Sequence, residues 1–107
     1  MGKKAGLIKD KHNNRMWFAN GKLHRTDGPA IEFTDGSKQW YTNGNRHRDD
    51  GPAYENWDGT KSWHIKNQLH REDGPAVEWA DGQKEWWLND KRYKEKEYWD
   101  IIINRGE

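Results

Sequence analysis

Histidine and arginine stand side by side three times, as His24-Arg25, His47-Arg48 and His70-Arg71, at a constant spacing of 23 residues. A regular row of arginines could hold phosphate groups, because each guanidinium offers several donors in a fixed planar fork. The same arginines could instead form ion pairs within the chain. The carboxylates for such pairs would be Glu32, Glu55, Glu78 and the aspartates of the three Asp-Gly-Pro segments.

The histidines of these pairs do not predict a metal site. If successive units form neighbouring hairpins, His24, His47 and His70 lie roughly 10 Å apart, whereas zinc ligands all approach the ion to about 2.0–2.1 Å. The chain has no cysteine, which excludes thiolate ligands and disulfides. We therefore expect neither a metal nor another cofactor.

A second set of rings recurs at the same spacing, and no two of its members are the same residue. In a strand, each of these rings would lie on the face opposite to the tryptophan that precedes it. They could stack on a nucleobase, an interaction worth roughly 1–3 kcal/mol per ring. Alternatively, both faces are buried, one of them under a helix or a second subunit. The four rings are Phe18, Tyr41, His64 and Trp87.

The sequence predicts no catalytic centre. It contains neither a nucleophile motif with Ser or Cys nor a phosphate-binding glycine loop. Two carboxylate pairs occur, Asp49-Asp50 and Glu72-Asp73, but both fall in predicted turns. We expect a binding protein, not an enzyme.

An internal repeat sets the elements that must position these residues. Trp, the segment Asp-Gly-Pro-Ala and a second Asp-Gly pair recur every 23 residues. Four pairs that contain Asn predict two-residue hairpin turns, because Asn and Gly tolerate a positive φ. Each unit is therefore expected to hold two strands of about five residues. The tryptophans are Trp17, Trp40, Trp63 and Trp86, and the turns are Asn20-Gly21, Asn43-Gly44, Asn67-Gln68 and Asn89-Asp90.

We expect a mainly β fold, an elongated antiparallel sheet of hairpin repeats over residues 1–93 with a degenerate half-repeat in residues 1–16. The face that carries the repeated tryptophans is assigned to the core, with the residue two positions after each of them. Tyr98, Ile101 and Ile102 recur at helical spacing and predict a short capping helix in residues 94–107. The alternative is that this helix docks on a partner. The residues that share the tryptophan face are Ala19, Thr42, Ile65 and Leu88.

Composition excludes several classes of protein. With 31% hydrophobic and 35% charged residues, an aliphatic core is out of reach, so the eight Trp must supply it. The formal net charge is +1, whereas a binder of extended nucleic acid normally carries a larger positive excess. No apolar run is long enough to span a membrane. We expect a cytoplasmic protein that binds neither membrane nor extended nucleic acid, and we leave self-association open.

The order aromatic, x, Asn-Gly-Lys, x, His-Arg, x, Asp-Gly-Pro, then Asp-Gly-x-Lys resembles the MORN-type repeat (membrane occupation and recognition nexus), a β-hairpin unit of the same length. Residues 5–93 carry the resemblance. Arg25, Arg48 and Arg71 stand where the common repeat has glycine, so the chain is more similar to the variant form with Asn-Gly-Lys-Leu-His-Arg-x-Asp-Gly-Pro-Ala. That variant is frequent in small proteins of tailed phages and giant viruses, and the resemblance therefore implies a hairpin fold and a viral origin.

The first functional hypothesis is a viral counter-defence sponge that sequesters a nucleotide immune signal, such as a cyclic dinucleotide, in the host cytoplasm. The rings would stack on the bases, and Arg and His would contact the phosphates. The alternative is a protein-interaction module that binds and inhibits a host defence protein. A lipid-surface binder ranks third, because the balanced charge provides no basic face. The candidate ligand-binding residues are Tyr41, His64, Trp87, Phe18, Arg25, Arg48, Arg71, His47 and His70.

Overall fold

The computed structural model describes residues 6–105, and these form antiparallel β-hairpins followed by one helix, as the repeat predicts. Residues 1–5 of the predicted half-repeat and residues 106–107 of the predicted helical segment lie outside the described residues. The strands are β1 (Gly6–Lys9), β2 (Arg15–Ala19), β3 (Lys22–Leu23), β4 (Ile31–Glu32), β5 (Lys38–Gln39), β6 (Tyr41–Thr42), β7 (Asn45–Arg46), β8 (Tyr54–Glu55), β9 (Lys61–Ser62), β10 (His64–Ile65), β11 (Gln68–Leu69), β12 (Val77–Glu78), β13 (Lys84–Leu88) and β14 (Lys91–Tyr93), and the helix is α1 (Glu95–Arg105).

One main sheet runs through the described residues in the order β1-β2-β4-β5-β8-β9-β12-β13-β14, with β3 paired to β2. Two small hairpins, β6-β7 and β10-β11, stand beside it. The molecule measures 48 × 35 × 19 Å, so the sheet is open and thin. No helix in residues 6–105 is both long and apolar enough to cross a bilayer.

The chain changes its hydrogen-bonding partner at the repeated tryptophan. Residues 38–39 pair with β4 and β8, whereas residues 41–42 pair with β7 across the Asn-Gly turn. A complete unit therefore has a short third strand after this turn, and most strands are only two residues long. The prediction of two strands of about five residues was wrong for the internal units, because backbone pairing splits the long segments at Trp40 and Trp63 into two ladders, whereas β2 and β13 are five residues long.

The hairpin turns use positive φ angles, as the Asn residues predict. Asn43 has φ 50° and Gly44 has φ 84°, the backbone that a two-residue turn of type I′ requires. In the third unit, the positive angles belong to Lys66 (48°) and Asn67 (73°). The predicted turn Asn67-Gln68 was therefore wrong by one residue.

Within the repeats, the alanines of Asp-Gly-Pro-Ala are fully buried and the tryptophans are not. The Trp main-chain N–H donates to the Ala carbonyl of the following strand at 2.8 Å in three successive units, so each Ala is paired beside an indole. The indoles themselves are half-buried and none belongs to the buried core, so the prediction that the tryptophans supply the core was wrong. The alanines are Ala30, Ala53 and Ala76, each 0% exposed.

The indoles of Trp17, Trp40 and Trp63 are each covered by the arginine of their own unit. The Cζ atom of Arg48 lies 3.9 Å from the ring centroid of Trp40, a distance typical of a cation–π stack. On the other side of the guanidinium lies Gly51, where an added Cβ would come within 2.9 Å of Arg48 Cζ. The sandwich of indole, guanidinium and glycine recurs with Arg25, Trp17 and Gly28 and with Arg71, Trp63 and Gly74.

A row of alternating charges crosses the same face of the sheet. Neighbouring strands place Glu32 opposite Lys38, Lys38 opposite Glu55, and Glu55 opposite Lys61. Opposite charges in such cross-strand pairs stabilise a sheet, and like charges destabilise it. Lys38 and Glu55 in this row each lie between two residues of opposite charge.

The glycine of the sandwich provides a test of the packing. We predict that Gly51→Ala lowers the free energy of unfolding by about 1–2 kcal/mol, because the added methyl group displaces Arg48 from its stack on Trp40. Chemical denaturation measures this loss. Gly6→Ala is the matched control, since a Cβ at Gly6 meets no atom within 4 Å. Equal stability of the two variants would contradict the proposed role of Gly51.

Candidate binding grooves

The three arginines chosen as phosphate ligands use their Nε and Nη1 donors inside the repeat. Arg71 Nε donates to Asp73 Oδ1 at 2.9 Å, and its Nη1 donates to the Pro75 carbonyl and to Glu78 Oε2, both at 3.0 Å. Arg25 and Arg48 make the same three contacts with the equivalent residues. The ion pairs that the sequence left open as an alternative account for these donors, and phosphate binding stays a prediction.

The histidines connect each unit to the next. Nδ1 of His24, His47 and His70 accepts a hydrogen bond from the main-chain N–H of Asn43, Lys66 and Asn89, at 3.0, 2.9 and 2.9 Å. An accepting Nδ1 places the hydrogen of a neutral ring on Nε2. In the second and third units, Nε2 lies 2.9 Å from Asp49 and 2.7 Å from Glu72. Residues 6–105 contain no cluster of His, Asp and Glu arranged for a metal ion.

The row of different rings lies on the opposite face, as strand alternation predicts, but it is not freely exposed. Phe18, Tyr41 and Trp87 are half-buried, and His64 is 8% exposed. His64 Nε2 lies 2.8 Å from the Ser62 hydroxyl. This geometry favours the alternative in which both faces contribute to packing, and ligand binding by these rings stays a prediction. Two further rings bond the side chain two residues before them, Tyr41 to Gln39 at 3.0 Å and Trp87 to Glu85 at 2.9 Å.

Two open grooves lie on the tryptophan face, between the His-Arg-x-Asp-Gly loops of successive units. The first groove has a volume of about 540 Å³ with Trp40 and Thr42 at its floor, and the second has about 750 Å³ with Trp63 and Ile65. The ten residues that line the second groove are, one by one, 23 positions after residues that line the first. The grooves are therefore one site built twice. Their walls are residues 24–28 and 47–50 for the first groove, and residues 48–51 and 70–73 for the second.

The third position of this series is filled by α1. The ring of Tyr98 is fully buried, and its centroid lies 5.1 Å from that of Trp86. Its hydroxyl donates to the Arg71 carbonyl and accepts from the Gly74 N–H at 3.3 Å. Leu88 is 3% exposed here, whereas its equivalents Thr42 and Ile65 are exposed and half-buried. The predicted capping helix is confirmed, and it covers the tryptophan face of β13.

Carboxylates surround the open grooves. Asp50 and Asp73 lie on the rim of the second groove, with side chains 88% and 86% exposed. Asp49 and Glu72 also line the second groove. Since Nε and Nη1 of the arginines are bonded to carboxylates and carbonyls and the rim carries further carboxylates, the grooves favour neutral or cationic groups over anions.

The grooves were missed from the sequence, although a signal existed. Thr42 and Ile65 were assigned to a core face because they follow a repeated tryptophan, yet only Leu88 among their equivalents meets a covering element.

Comparison with protein-family models, curated proteins and solved structures gives no match for this chain. The resemblance to MORN-type repeats therefore stays a prediction.

His64 predicts how stability depends on pH. Burial, and secondarily the positive charge of Arg46, lowers the pKa of His64 from 6.5 to about 4. The unfolded chain binds a proton at this position below pH 6.5, and the folded chain does so only below about pH 4. The stability is therefore complete above pH 6.5 and falls as the pH drops, by about 3 kcal/mol at pH 4.

Urea denaturation of the native chain and of His64→Gln across this pH range measures the effect. The native chain should lose more stability between pH 6.5 and 4 than the variant, because Gln does not titrate. Parallel pH profiles of the two proteins would show that His64 does not titrate as its burial implies.

Proposed function

We propose that this chain is a non-enzymatic binding protein that recognises a partner protein through the first and second grooves. The observation that supports this proposal is the third groove, which already holds a protein segment, α1, with its Tyr98 ring fully buried. The first two grooves repeat the same walls and are open. A surface that accepts a helix of its own chain at one position is suited to accept a similar segment at the two equivalent positions.

Nucleotide sequestration ranks second to the binding of a partner protein. Phosphate in either groove would meet the rim carboxylates, and the guanidinium groups are bonded to Asp, Glu and Pro carbonyl oxygens. The ring row on the opposite face includes His64, which is almost inaccessible. Both the nucleotide hypothesis and its counter-defence setting remain predictions from the sequence.

Filling the grooves tests the proposal. Thr42→Trp and Ile65→Trp place a large ring, tolerated in strands, on the floor of the first and the second groove. Thr34→Trp is the matched control, because its equivalent in the next unit is Trp57, which is 68% exposed. We predict that a random peptide library displayed on phage yields sequences that bind the native chain and the Thr34→Trp control. The doubly filled variant should lose this binding with an unchanged melting temperature.

Calorimetric titration with a panel of cyclic nucleotides separates the two functions. The proposal expects no heat of nucleotide binding to the native chain. Peptide binding that persists in the doubly filled variant, or nucleotide binding at micromolar affinity, would contradict the groove proposal.

A further inference from the structure

We propose that the partner segment is a helix that inserts one tyrosine into a groove and carries a basic residue two turns later. This inference rests on the proposed function and specifies the chemistry of the partner. It is drawn from the filled third groove, whose polar atoms have equivalents in the other two.

The phenol hydroxyl is the group that the groove walls select. In the third groove, the Arg71 carbonyl and the Gly74 N–H are both used by the Tyr98 hydroxyl. Their equivalents are the carbonyl and N–H of Arg48 and Gly51 in the second groove, and of Arg25 and Gly28 in the first. Within residues 6–105, these four groups make no hydrogen bond. Each open groove thus presents one acceptor and one donor at the positions where a hydroxyl can satisfy both.

Other aromatic side chains satisfy fewer of these requirements. Phenylalanine would leave both main-chain groups unpaired, and the tryptophan N–H is a donor only. Serine and threonine carry a hydroxyl but lack the ring that covers the floor of the groove. Tyrosine combines an apolar ring with a hydroxyl at its end, which is the combination that Tyr98 brings to the third groove.

The negative charge of the groove rim selects the basic residue of the partner helix. Arg105 lies seven residues after Tyr98, two helical turns away, and its Nη1 is 3.5 Å from Glu72 Oε2. The position of Glu72 is taken by Asp49 in the second groove and by Thr26 in the first. A basic residue at the Arg105 position of the partner helix therefore finds a carboxylate at this equivalent position in the second groove but not in the first, so the second groove should bind the helix more tightly.

The partner helix does not need a counterpart of Trp99, the residue that follows Tyr98 in α1. In the third groove, Lys94 stands where the earlier units have arginine, and both Tyr98 and Trp99 contact Trp86. In the open grooves, the stacked Arg48 and Arg71 already cover the equivalent indoles. The tyrosine ring of the partner helix would then lie beside the guanidinium of Arg48 over Thr42, or beside that of Arg71 over Ile65.

A peptide with the sequence of residues 94–105 provides the probe. A lactam between the side chains of Lys96 and Asp100 would hold it helical, because these atoms lie 3.0 Å apart on the exposed side of α1. We predict that adding this peptide to the isotope-labelled full chain moves the amide NMR signals of Gly51 and Gly28. Gly51 should saturate at the lower peptide concentration, and Gly74, already bonded to Tyr98, should not move.

Two controls separate the hydroxyl from the ring. The same peptide with Tyr98→Phe should bind about tenfold more weakly, since it forfeits two hydrogen bonds. The full chain with Ile65→Trp should lose the Gly51 response and keep that of Gly28.

The proposal is overturned by equal binding of the Phe peptide, by movement of Gly74 alone, or by no movement of Gly51 at millimolar peptide. Movement of Gly51 with protein concentration, without peptide, would also overturn it, because the occupant would then be a second copy of the chain. Library peptides that need the grooves but lack tyrosine would leave the proposed function standing and refute only this inference.

Discussion

The stacking of a guanidinium between an indole and a glycine is the interaction on which the rest of the structure depends. It covers Trp17, Trp40 and Trp63 in a sheet too thin to bury them otherwise. The bonds from each arginine to the Asp, Pro and Glu that follow it then hold the loop against the sheet. These loops are the walls of the grooves, so the same contact that stabilises a unit also shapes the grooves. Glycine is required because any side chain there would occupy the space of the guanidinium.

Much of the fold could be predicted from the sequence, because the period repeats every local signal in register. The antiparallel hairpins, the turns at Asn43-Gly44 and the C-terminal helix all follow from residue types at fixed spacing. The core could not be predicted in the same way. A large apolar residue is usually assigned to the interior, but here the indoles are half-buried beneath arginines, and small alanines take the interior positions. The change of strand partner at Trp40 depends on backbone pairing, for which the side-chain pattern has no signal.

The candidate site was harder to predict than the fold. Arg48 and His47 recur in every complete unit and have the chemistry of ligand contacts, yet their partners are Asp50, Glu55 and the main chain of the next turn. A residue that recurs in each copy is needed to build the copy. The grooves instead expose main-chain atoms, whose availability depends on three-dimensional spacing between loops. Only the terminal unit, where Lys94 replaces arginine and Tyr98 follows, contains a sequence sign of the segment that fills the third groove.

A double-mutant cycle on Trp40 and Arg48 tests the central contact most directly. Trp40→Leu, Arg48→Met and the double variant keep apolar volume at both positions, and the cycle cancels the ion pairs that Arg48 makes elsewhere. The stacked geometry predicts a coupling free energy of about 1–2 kcal/mol between the two residues in chemical denaturation. Additive effects, with a coupling below about 0.3 kcal/mol, would contradict the account, because the guanidinium and the indole would then stabilise the repeat independently.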